Sequence, residues 1–202
     1  MPRVTAEYLD TKRRRILDAA TTCFARDGFQ RATVPEIARE AGLSAGAIYR
    51  YFDGKEDIVA AIARAHRTPS PDALGRSAAR PNVSEALGEL IDASFDVLRD
   101  PDELRWRRIT VQLWGEALRD ERVMEIVREG RDEPIERIAE LIGRGQAEGA
   151  LRSDIDPVAG ARICASLFYG LVLQLASDPS VDVDRYADAV RVMLSAVLHA
   201  SA

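Results

Sequence analysis

The sequence predicts an all-α protein of about nine helices: an N-terminal three-helix helix-turn-helix domain, joined by a fourth helix to a C-terminal helical bundle. Three observations carry this prediction. Apolar residues recur at helical spacing along almost the whole chain, and strand-like alternation is scarce. Ser, Thr and Asp stand ahead of several of those runs, often followed by proline, the order in which helices begin. One Pro/Ser/Gly cluster, 68–82, interrupts the pattern and divides the chain into domains 1–67 and 68–202.

Composition narrows the function before any motif is read. With 202 residues, 47% hydrophobic and 30% charged, and a mean hydropathy of -0.18, the chain reads as a globular protein. Its longest uncharged stretch, Ile163–Ser177, is 15 residues, short of the roughly 20 that cross a bilayer, so no membrane association is expected. The N-terminus has no apolar signal core, and Cys23 and Cys164 are too far apart in sequence for a metal-ligand spacing. A cytoplasmic protein is the expectation. With His66 and His199 the only histidines, neither an enzyme nor a metal or cofactor site is expected. The net charge of -5 is unevenly spread: residues 1–67 hold 12 Lys/Arg against 9 Asp/Glu, and the remainder is acidic. A locally basic face is what a nucleic acid would meet.

The elements follow in order. Leu9, Ile16, Ala20, Cys23 and Phe24 line one face of a first helix. It starts near Thr5, because Lys12–Arg15 would oppose the dipole of a first turn, and stops at Gly28. Thr33 and Glu36 have capping-box spacing for a second, short helix. Gly42 turns the chain and Ser44 caps a third helix, Ala45 to Phe52. Asp53 and Glu56 open a fourth, with Ile58, Ile62 and Ala65 on its inner face. Beyond the linker, Ser84 caps a fifth helix and Asp100-Pro101 a sixth. A segment from Glu121 to Glu148 should be kinked or split by Pro134. Asp156-Pro157 opens an apolar helix through Leu175, and a last helix carries Val190, Met193, Leu194 and Val197.

Two short helices around a glycine turn form the unit that can lay a recognition helix in the major groove of DNA. On the third helix, Ile48 and Phe52 share one side, while Gly46, Tyr49 and Arg50 share the other. Ala45 and Gly46 are small enough for close approach to a phosphate backbone, Tyr49 can donate to phosphate, and Arg50 can pair with guanine O6 and N7. Lys12–Arg15 reads equally as a solvated face or a phosphate-attracting arm, and Arg3 is a candidate for the minor groove.

These residues carry a resemblance. Phe24-Ala25-Arg26-Asp27-Gly28-Phe29, Ile37-Ala38, the run Gly42–Phe52 and Lys55-Glu56-Asp57 together resemble the DNA-binding domain of the TetR/AcrR family of transcriptional regulators. The resemblance implies a homodimeric repressor on a palindromic operator in double-stranded DNA, released by a small-molecule effector bound in the C-terminal domain. It also implies phosphate contacts at Thr33, Ser44, Gly46, Tyr49, Tyr51 and Lys55, with Arg50 reading bases. Asp53-Gly54 departs from the polar pair common before the lysine, which removes a hydroxyl cap and adds an anion.

In the C-terminal part, Phe95, Trp106, Ile109, Leu113, Trp114, Phe168 and Leu171, with Gln112 and Glu116 as polar anchors, are candidates to line a mainly apolar ligand pocket. Core packing alone accounts for most of the same residues. The helix through Leu175 is apolar nearly all round, so with the last helix it fits an intersubunit four-helix bundle. Cys164, Leu167, Leu175, Val190, Met193, Leu194 and Val197 are its candidate interface, with Gly160, Ala161, Ala165 and Gly170 allowing close packing. A helical small-molecule carrier or adaptor with a structural helix-turn-helix is the alternative.

Overall fold

A computed structural model describes residues 6–66 and 69–198. Arg3, Thr5, Thr68 and His199, and the side chain of Val197, lie outside the described residues. Among those described there are ten α-helices, one 3-10 helix (Val97–Arg99) and no strand. The helices are α1 (Ala6–Asp27), α2 (Val34–Glu40), α3 (Ala45–Ile48), α4 (Lys55–Ala65), α5 (Pro71–Ala78), α6 (Val83–Asp96), α7 (Pro101–Ala117), α8 (Glu121–Ala147), α9 (Pro157–Ser177) and α10 (Val183–Leu198). They form two compact units: the described residues through His66 with Arg108–Val127, and the described residues of 67–107 with those from Arg128 onward.

In the first unit, Ile16, Ala20, Cys23 and Phe24 of α1 are fully buried with Ile37, Ile48, Ile58 and Ile62, and with Phe52 nearly so. The ends of the elements are set locally. Gly28 (φ 83°) and Gly42 (φ 60°) take the left-handed conformation that stops α1 and turns α2 into α3. Thr33 and Glu36 form the capping box in both directions. Two expectations are corrected here. The α4 N-cap is Gly54 without a side-chain cap; instead the Asp53 N–H donates to the Asp57 carboxylate at 3.3 Å. Ala65 is exposed, so the inner face of α4 is Ile58, Val59, Ala61 and Ile62.

The second unit departs further from the sequence pattern. The Pro/Ser/Gly cluster contains a helix, α5, because Ser70 accepts from the Ala73 N–H, Pro71 sits in the tolerant first turn, and Ala73, Leu74 and Ser77 are buried. Asn82, not Ser84, caps α6. Pro134 does not split α8, which runs unbroken for 27 residues. A proline in a helix costs about 3 kcal/mol. Burial of Ile135, Ile138, Leu141 and Ile142 on one α8 face, at about 1.5–3 kcal/mol each, outweighs it. With Arg162 included, α9 reaches 21 residues and is long and apolar enough to cross a membrane by length and composition. In the fold it buries Gly160, Ala161, Phe168, Leu171, Val172 and Leu175.

Candidate nucleic-acid interface and effector cavity

The α2–turn–α3 segment presents a polar surface because its apolar residues are committed inward. Ile48 is fully buried and Phe52 nearly so, which turns Tyr49 (56% exposed), Arg50 and Gly46 outward. Regular helix ends at Ile48; Tyr49–Tyr51 continue as turns, held by Tyr51 and Phe52 N–H donation to the Ile48 carbonyl. Ser44 is exposed and Ala45 and Tyr51 are half-buried. The Ser44 hydroxyl accepts from the Ala47 N–H at 3.2 Å, which leaves its own proton available to a phosphate oxygen.

Two residues of the predicted set are engaged within the protein. Thr33 Oγ1 donates to the Glu36 carboxylate at 2.7 Å while accepting from the Glu36 N–H, so its single proton is already spent. The Thr33 hydroxyl, and after it the Thr33 N–H donating at 2.9 Å, hold the Glu36 carboxyl below its ordinary value. Lys55 Nζ donates to the Phe29 and Gln30 carbonyls, each at 3.1 Å, and lies 4.6 Å from the centre of the Phe29 ring. It ties α4 to the α1–α2 loop, with one ammonium proton left. The cationic run on α1 is also partly engaged: the Arg13 guanidinium sits 4.7 Å over the Phe52 ring, and a Cβ on Gly42 would stand 2.6 Å from an Arg15 nitrogen.

The nine residues predicted for a pocket are divided between the two units. Ile109, Gln112, Leu113, Trp114 and Glu116 belong to the first unit, where Glu116 accepts a hydrogen bond from Gln30 of the α1–α2 loop. Trp106 and Leu171 are buried in the second. Phe95 and Phe168 alone among the nine line a cavity of about 60 Å³ in that second unit, between α6, α8, α9 and α10. Its apolar wall includes Leu90, Ile138, Val190 and Leu194, and its polar groups are Ser94, Arg131, Cys164 and Tyr169. Across Leu87, Ile91, Leu194 and Leu198 it adjoins a groove of about 200 Å³ between α6 and α10. Sequence reasoning treated Pro134 only as a break, yet Arg131, Pro134 and Ile138 line the cavity at i, i+3 and i+7, a helical face that spacing alone could have flagged.

Burial shapes the chemistry of the polar groups. Desolvation pushes the Cys164 thiol up to about 11, so it stays protonated, and raises the Tyr169 phenol as well. Arg107, only 6% exposed, donates to Glu103 at 3.1 Å and lies 5.7 Å over the Phe168 ring. Phe95, Phe168, Tyr169 and Tyr186 pack ring to ring at 5.4–6.1 Å.

The candidate dimer residues divide by direction. Leu175, Val190 and Leu194 are buried within their own unit, and Cys164, Val190 and Leu194 line the cavity. Leu167 is half-buried and Met193 is 57% exposed. Among the described residues, the large apolar side chains that α9 and α10 leave exposed are Val158, Ile163, Leu173, Val192 and Met193. Among the small residues, Gly160 and Ala161 are buried and Ala165 lines the cavity; a Cβ on Gly160 would be 3.1 Å from Ile142 of α8.

Comparison with known proteins matches both an N-terminal and a C-terminal stretch of the chain. Residues 16–62 match the model for bacterial regulatory proteins of the tetR family, and residues 83–199 match the BetI-type transcriptional repressor C-terminal domain. The HTH-type transcriptional regulator YfiR of Bacillus subtilis is 27% identical over 206 residues, covering 98% of each chain. Among solved structures, SmeT, the repressor of the Stenotrophomonas maltophilia multidrug efflux pump SmeDEF, is 26% identical with a TM-score of 0.75, covering 94% of this chain and 91% of its own. A transcriptional regulator from Saccharomonospora viridis in complex with choline is 25% identical with a TM-score of 0.74, covering 95% and 100%. An outward-facing polar turn between α2 and α3, an all-helical C-terminal part and matches across both parts lead to one conclusion: the chain belongs to the TetR family of transcriptional regulators.

Proposed function

We propose that this regulator is a homodimeric repressor, working in the cytoplasm, that holds a pseudo-palindromic operator and leaves it when a small, mainly apolar molecule enters the second-unit cavity. The observation that carries the reading is the outward pair Tyr49 and Arg50 on a turn whose neighbours, Ile48 and Phe52, are locked into the core. Arg50 reads a base, worth about 1–3 kcal/mol of discrimination. Tyr49 and the Ser44 hydroxyl take phosphates. Two copies joined through Ile163, Leu173, Val192 and Met193 present their recognition turns about 34–36 Å apart, one turn of DNA or a multiple of it.

The size of the cavity supports a coupling between effector and conformation. An apolar cavity of 150 Å³ holds benzene. At about 60 Å³ this one is too small for a drug-sized ligand as it stands, so an occupant must displace the walls supplied by α6, α8, α9 and α10. A ligand that favours the displaced arrangement shifts the population toward it. Cavity and adjoining groove belong to the C-terminal part, as an effector site requires.

Selection of genomic DNA by the purified protein at about 0.15 M salt tests the reading, with Tyr49→Ala/Arg50→Ala in parallel. Enrichment of one palindrome by the wild type alone is expected. Arg50→Ala should flatten base preference at one position in each half-site, and Met193→Asp should convert a dimer to monomers in sedimentation. Equal enrichment by wild type and double variant would reject the recognition turn as the reader.

A further inference from the structure

We infer that the cavity takes an acid: a small amphiphile whose carboxylate pairs with Arg131 while its apolar body lies against Leu90, Phe95 and Phe168. The inference rests on the reading of this cavity as the effector site. Its basis is the charge of the walls. Among the described lining residues Arg131 is the one ionised side chain, and none is a carboxylate. Within the lining an ammonium group would meet no carboxylate, whereas an acid meets a guanidinium.

The geometry of Arg131 suits this role. Its Nε donates to the Asp132 carboxylate at 2.7 Å, which orients the guanidinium and neutralises it in part. A guanidinium carries five N–H donors in a fixed plane, so the edge formed by its two terminal nitrogens remains to grip a carboxylate bidentately. The side chain is 38% exposed, placing its head at the cavity rim, where an acid group can stay partly hydrated while its tail goes in.

The aromatic walls would be the natural argument for a cation, since rings attract quaternary ammonium groups. Here that attraction is already in use. The buried Arg107 guanidinium stands over the Phe168 ring, and the remaining rings pack against one another. Desolvation raises the Tyr169 phenol; of the charges around it, Arg107 and Arg131 oppose that rise and Asp132 adds to it, so two guanidiniums face this end of the cavity, each with its own carboxylate beside it. The same fold holds choline in the Saccharomonospora viridis regulator; the walls here select the opposite charge.

Three six-carbon probes that differ in the head group test this on the full-length protein by calorimetric titration at pH 7.4: hexanoate, hexanamide and hexylammonium. Hexanoate should bind at least about tenfold more tightly than the other two. Arg131→Gln should bring hexanoate to the level of hexanamide without changing hexanamide, Arg131→Lys should keep part of the preference, and Ala165→Phe should weaken every probe by filling the cavity. Circular dichroism confirms folding, and the lysine and phenylalanine variants carry the test if the glutamine variant does not fold. Equal affinities, a preference for hexylammonium, no hexanoate binding at 10 mM, or a preference that survives Arg131→Gln would each overturn the assignment. The DNA selection uses no probe, so an operator found without a hexanoate preference removes the acid alone. A hexanoate preference without any operator removes the repressor reading alone.

Discussion

Replacing Lys55 by methionine separates two roles that the residue could have in this family. The substitution keeps the aliphatic stem and removes the ammonium, and with it two hydrogen bonds at 3.1 Å to the Phe29 and Gln30 carbonyls and the contact with the Phe29 ring. At a half-exposed position each bond is worth about 1 kcal/mol net, and the cation–ring contact about 0.5 kcal/mol. The freed carbonyls can be rehydrated, so no burial penalty is added, and the loss comes to about 2 kcal/mol. For a chain of this length that lowers Tm by about 4–8 °C, read by circular dichroism without DNA. Operator binding should weaken with its salt dependence little changed. If Tm holds and the slope of log K against log salt falls by about one, the ammonium is bound to a phosphate and not to the loop, and the structural role assigned here is refuted.

Three further outcomes follow from the packing and the charges. Gly145→Ala would set a Cβ 2.7 Å from Leu151 and 2.9 Å from Val83, overpacking that should cost about 1–3 kcal/mol in urea denaturation. Glu103→Gln strips a counter-charge from the buried Arg107 and should cost about 3 kcal/mol; Arg107→Met made together with it should recover part of that, and a double variant no better than the single would show the pair to be unimportant. The Glu36 carboxyl is held below its ordinary 4.5 by Thr33, so the unfolded chain binds the proton first. The stabilisation is complete above about pH 4.5 and is lost as pH falls through the lower folded value. Thr33→Ala should remove about 1 kcal/mol of helix capping and flatten this acid limb, as stability curves between pH 3 and 6 would show.

Legibility in the sequence followed the range of the interaction. The Thr33–Glu36 box, the Ser44 and Asp156 caps and the left-handed Gly28 and Gly42 involve partners within a few residues, and each is found where local chemistry places it. The outward turn of Tyr49 and Arg50 follows from helical spacing against Ile48 and Phe52 in the same way. Errors arose where two local signals competed. Prolines in 69–81 read as a linker although Ser70-Pro71 is also a helix start, and Pro134 read as a break although an apolar face continues past it. The Asp53 and Ser84 caps failed because a neighbouring residue, Gly54 or Asn82, took the position.

The sequence by itself determined the helical class, the helix-turn-helix, the side of its turn that faces outward and the family. These are properties of periodicity, caps and short motifs, in which each residue's partners are close along the chain. Only the tertiary structure decided that Lys55 is tied to carbonyls 25 and 26 residues away, and that Val190 and Leu194 line a cavity while Val192 and Met193 remain exposed. It also decided that, among the described residues, Arg131 is the charged side chain lining that cavity. A helix apolar on several sides has no inward face until its neighbours are in place. Their positions depend on contacts between residues far apart in the chain, which no local pattern encodes.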